Sequence, residues 1–163
     1  MNADNENTGE RGTQKCIEQW LLPCNLFEAA GKSRSEIFTV FGNEYEPIGK
    51  IPACYLKYLG DEVKDTAVYS GKGYFIDHCV NHHPEIETAE YAKIHDILSN
   101  SDYVKLDDRK PERTSLAFIK RYEKYNTVVV SVDNTNEKKI IVYKTFFGKK
   151  TAPYANLRSI QGD

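Results

Sequence analysis

The chain has 163 residues, of which 40% are hydrophobic and 12% aromatic, and its formal net charge is −2. With 11 Tyr and 7 Phe it has too much to bury to be a disordered polymer, and its length suits one domain or one domain plus a tail. No run of about 18 apolar residues occurs, which excludes a helix that spans a bilayer.

The charge is unevenly spread. Residues 1–100 carry 9 basic and 16 acidic side chains, a net of −7, whereas residues 101–163 carry 13 basic and 8 acidic, a net of +5. A basic C-terminal half suits a polyanionic partner even in an acidic chain. The cysteines stand at 16, 24, 54 and 79, without a C-x-x-C spacing. They read as reduced thiols of a cytoplasmic protein, with a single bridge left open.

In chain order, residues 1–13 hold no large apolar side chain after Met1 and read as a disordered tail, not a signal peptide. Residues 14–50 read as an N-terminal arm. It opens with a short helix bearing Ile17, Trp20 and Leu21 and ending at Pro23. A strand follows over Ser35–Phe41, with Gly42-Asn43 turning it into a hairpin-like return through Tyr45 to Ile51. Residues 51–163 read as the main domain.

In that domain Pro52 opens a helical piece closed by Gly60. Asp65–Tyr69 is extended, and Ser70 caps a helix over Gly71–His82 with Phe75, Ile76, Cys79 and Val80 as its apolar stripe. Thr88 opens another helix carrying Tyr91, Ile94, Ile97 and Leu98. The period then changes to two, and Asp102–Leu106, Thr114–Arg121, Thr127–Val132 and Lys139–Phe147 read as strands joined by short turns. The expected fold is therefore α+β, with N-terminal helices packed on a four-stranded antiparallel sheet.

Three histidines, His78, His82 and His83, cluster in F-I-D-H-C-V-N-H-H-P-E-I. His78 and His82 are spaced to share a helix face, which suits a zinc pair, general acid–base work or a helix cap. The zinc reading lacks a third ligand, and no metal or other cofactor has motif support. In the last strand Ile141, Tyr143, Thr145 and Phe147 are expected on one face, and Leu116, Phe118 and Lys120 share a face of the second strand. Two hydroxyls and a lysine near a histidine would suit phosphodiester chemistry. The stretch D-D-R-K-P-E-R-T reads as an exposed loop whose Arg109, Lys110 and Arg113 can touch phosphates.

These residues together carry a resemblance. The run V-Y-S to H-H-P-E-I, followed by S-D-Y-V-K-L, T-S-L-A-F-I-K-R-Y, T-V-V-V-S-V and I-I-V-Y-K-T-F-F, resembles the phage-associated nuclease-like domains of the barnase–EndoU–RelE-like superfamily. It covers about residues 51–147, with His-Pro-Glu and Tyr-x-Thr as its specific parts. The resemblance implies a metal-independent ribonuclease of phage or toxin type, without cofactor, whose substrate 2′-hydroxyl attacks the adjacent phosphate. It implies His78 and His83 as general acid and base, Lys120 as charge stabiliser, and Tyr143 and Thr145 as phosphate hydrogen-bonders. Arg109, Arg113 and Lys144 would then contact substrate. The partners implied are RNA, including tRNA or another structured RNA, and a phage or immunity-type protein, with no membrane. A binding module of the same fold without catalysis is the alternative.

Overall fold

A computed structural model of the protein describes residues 16–135 and 139–160. The tail expected over 1–13 lies outside the described residues. The chain divides into two compact units: Met1–Gly49 with Tyr69–His95, and Lys50–Val68 with Asp96–Asp163.

The first unit is mostly helical. Residues 16–20 form α1, and Pro23–Ala29 form α2. Pro23 thus ends one helix and opens the next, at a position where its missing N–H costs nothing. Arg34–Phe41 form α3, which replaces the expected strand and its hairpin. The physical reason lies one residue upstream. Ser33 accepts from the Glu36 N–H, and the Glu36 side chain accepts from the Ser33 N–H, a capping box that outweighs the β preference of Ile37, Phe38, Thr39 and Val40. Gly42, at φ 75°, stops the helix, and β1 follows as Tyr45–Lys50.

Strand β2 is Ala67–Gly71, and α4 is Lys72–Asp77. Ser70 belongs to the strand and does not cap the helix; its hydroxyl donates to the Gly71 carbonyl. The first turn of α4 is satisfied from the α3 exit instead: Gly73 N–H donates to the Gly42 carbonyl at 2.8 Å, and Tyr74 N–H donates to Asn43 Oδ1 at 2.9 Å. Helix α4 then widens over His78–His82 into a π-helical turn, so the expected α-helix to His82 ends five residues early. Trp20, Phe75 and Tyr91 stack through this unit with ring centroids 5.6 and 5.5 Å apart. The helix expected from Thr88 is two pieces, α5 (Thr88–Tyr91) and α6 (Ile94–Ser99).

The second unit holds the meander, with β3 Tyr103–Asp107, β4 Ser115–Arg121, β5 Tyr125–Asp133 and β6 Ile140–Lys149, all antiparallel. The four expected strands are present. A short strand β7 (Arg158–Ser159) pairs with β3, and the full hydrogen-bonding order is β1-β2-β6-β5-β4-β3-β7. Among the described residues the sheet therefore has seven strands, not four: β1 lies where the return through Tyr45 to Ile51 was expected and β2 overlaps the extended Asp65–Tyr69, but neither was expected to join the meander, and β7 is too short to carry a pattern. One sheet face carries Val104, Leu116, Phe118, Val128, Val130, Ile141 and Phe146, all essentially buried. A 3-10 turn at Ala53–Tyr58 packs on it, the Tyr55 ring standing edge-on to Phe118 at 5.5 Å. Each such large side chain contributes about 1.5–3 kcal/mol on burial.

A bulge between Val129 and Val130 changes the last strand. Tyr143 pairs with Val130 and Thr145 with Val129, leaving Lys144 as the extra residue. Tyr143 therefore lies on the buried face with Ile141, and Thr145 on the other with Phe147; the single face expected for Tyr143 and Thr145 does not exist.

Candidate active site

The histidine cluster is built by the π-helical turn. Its extra residue per turn closes an N–H bond from His83 to the His78 carbonyl at 2.9 Å, and it brings residues five apart onto one side. Asp77 and His82 are such a pair. The Asp77 side chain is 1% exposed and that of His82 is 53% exposed, and Oδ2 stands 3.5 Å from the imidazole Nε2. Oδ2 receives no hydrogen bond in this geometry, so a small closure of the gap would complete one. Oδ1 is held by the Asn81 side-chain amide at 2.7 Å, and the same amide donates to the Lys32 carbonyl at 3.1 Å.

The neighbouring rings form a ladder. Tyr74 lies on His78 at 4.3 Å between centroids, and His78 lies on His82 at 4.6 Å. The Arg34 guanidinium sits 5.2 Å over the Tyr74 ring. Burial first, then the neighbouring His82, pushes His78 down to about 4, which keeps its imidazole neutral at neutral pH. His83 is separately engaged, its Nδ1 lying 3.3 Å from Glu85 Oε2. A buried carboxyl behind an exposed imidazole can orient that ring for proton transfer to or from a substrate.

His78 and His83 thus fall together on one turn of the first unit. The residue that the sequence reading passed over is Asp77, and with it the pairing of Asp77 with His82, which helical spacing sets beside His78 instead. Their spacing of five is off-face in an α-helix, and only the π-helical turn aligns them, so helical periodicity carried no signal for the pair.

The remaining candidates lie in the second unit. Lys120, at the end of β4, gives its ammonium to Asp96 at 2.9 Å; Tyr122 donates to the same carboxylate at 2.6 Å, and Asn100 donates to its other oxygen at 2.9 Å. Burial opposes ionisation of Asp96, but these hydrogen bonds outweigh it and hold the group at about 2. Lys120 is therefore already committed to a carboxylate. Tyr143 is 3% exposed on the core face, and Lys144 is exposed at the bulge. Arg109 is clamped by Asp107 through two bonds of 2.9 and 2.8 Å, and Arg113 ends the 3-10 turn Pro111–Arg113. The four cysteines carry free thiols, and among the described residues no group of three or more His, Cys, Asp or Glu is placed to hold a metal ion. No helix among them is long and apolar enough to cross a membrane.

A mixed α+β chain with a carboxyl-backed histidine on one turn has the parts expected of a nuclease-like domain. A family model described as phage-Barnase-EndoU-ColicinE5/D-RelE like nuclease3 matches residues 46–155, well over half of the chain, and the protein belongs to that family. No curated protein and no solved structure matches the chain.

Proposed function

We propose that the protein is a metal-independent ribonuclease-like domain of phage or toxin origin, working in a cytoplasmic setting on RNA, and that His82 with Asp77 is its principal proton-transfer group. The observation that carries this reading is the buried Asp77 carboxyl facing the exposed His82 imidazole. A base on the enzyme removes the proton of a ribose 2′-hydroxyl. The oxygen attacks the adjacent phosphorus, and the bond to the 5′-oxygen breaks as an acid returns a proton to it. The products are a 2′,3′-cyclic phosphate and a 5′-hydroxyl. His82 and His83 are the two exchangers in this reading. His78, neutral and stacked, sets the angle of the His82 ring, and Arg34 brings a permanent positive charge to the same ladder. Of the hydroxyls expected at the phosphate, Tyr143 and Thr145 face opposite ways, so at most one can serve.

The test is incubation with total RNA in EDTA, comparing the wild type with Asp77→Asn, His82→Ala and His83→Ala. Loss of general acid–base catalysis costs about 10²–10⁴ in rate. Asp77→Asn should lose cleavage by a large part of that range at unchanged melting temperature. RNA left intact by the wild type would replace this reading with that of a catalytically inactive RNA- or protein-binding module.

A further inference from the structure

Residues 107–113 carry as many acids as bases, Asp107, Asp108 and Glu112 against Arg109, Lys110 and Arg113, yet the fold separates Glu112 from the three bases. In the three-residue turn Pro111–Arg113 successive side chains diverge by about 120°. Glu112 lines one cavity, of about 310 Å³, together with Lys57 and Ser131. Arg113 lines a different one, of about 490 Å³, together with Asp107, Arg109 and Lys110. Three of those four side chains are cationic. Asp107, the one carboxylate among the described lining residues, gives both oxygens to Arg109, at 2.9 and 2.8 Å, and so fixes that guanidinium in place; Lys110 acts on it only through space, and among the described residues neither Lys110 nor Arg113 forms an ion pair. Arg109 keeps further N–H donors beyond the two given to Asp107. A loop with no net charge thus presents a cavity whose described lining residues are net cationic.

We propose that this cavity is an anion site that takes a backbone phosphate of single-stranded RNA, with Lys110 and Arg113 as its phosphate contacts and Arg109 as a pre-oriented donor. The volume exceeds that of a phosphate group and admits the adjoining sugar. The inference rests on the nuclease reading only for the identity of the polyanion. Contacts of this kind position a strand without reading its bases.

Binding of a short 2′-O-methyl oligoribonucleotide, which lacks the attacking hydroxyl and is not cut, tests the site by fluorescence anisotropy on the full chain. Lys110→Gln/Arg113→Gln should weaken binding about tenfold and flatten the log K against log salt slope by about 1.4, at about 0.7 per lost single-strand phosphate contact. Glu112→Gln, a charge change of one unit facing the other cavity, should stay within about twofold. Equal and opposite shifts from Glu112→Gln and Arg113→Gln would mean that net charge alone is felt, and would overturn the site. So would an unchanged affinity and slope in the double variant. Because the probe is not cleaved, these results are independent of RNA cleavage by the wild type, whose absence would instead count against the nuclease reading.

Discussion

His78 shows how one side chain couples packing to pH. Its ring lies between Tyr74 and His82, with Asp77, His83 and Arg34 as the charged or titratable groups around it. In the unfolded chain it regains its ordinary value of 6.5, whereas folded it is held at about 4. Between these values the unfolded chain binds the extra proton, so stability is fully present above about 6.5 and falls as pH drops toward 4. The melting temperature of the wild type should decline across that window, and that of His78→Gln should be flatter; parallel curves would show that His78 does not carry the loss. The same scale explains what a reading of the sequence found and missed. The histidines stood out by residue type. The carboxyl behind His82 did not, because five residues of spacing has no face in an α-helix.

At the scale of elements, the approach of α3 to α4 depends on Gly73. A Cβ there would meet the Gly42 carbonyl oxygen at 2.5 Å and the Phe38 ring at 2.8 Å, and the first of these is backbone that cannot rotate away. Gly73→Ala should therefore cost about 1–3 kcal/mol by overpacking, despite the better helix propensity of Ala. Chemical denaturation checks this, and a variant at or above wild-type stability would mean that the helices separate without penalty. Alternation of period two and short polar turns made the four meander strands readable in advance. Residues 35–41 were misread because β-branched and aromatic side chains speak for a strand, while the capping box that decides for a helix begins at Ser33. The bulge at Lys144 carries no pattern of its own. It moves Tyr143 to one face and Thr145 to the other, and only pairing with β5 sets it.

At the scale of the whole molecule, the acidic first hundred residues and the basic remainder give a chain with pI about 6.1 that still has a cationic cavity. On a heparin column at neutral pH the protein should be retained at low salt and released as salt rises, against its net charge. Passage in the void volume at low salt would show that the basic half is internally neutralised. Composition, period and turn chemistry alone determined that the chain folds, that its second half is an antiparallel meander, and that histidines and cations are its chemical candidates, because these follow from local preference and burial. Tertiary structure alone decided which of them meet. The Asp77–His82 pair depends on a widened helical turn, the commitment of Lys120 to Asp96 on a strand beside a helix end, and the net cationic cavity on the angle of a three-residue turn. Each is a relation between side chains in space that no one-dimensional period encodes.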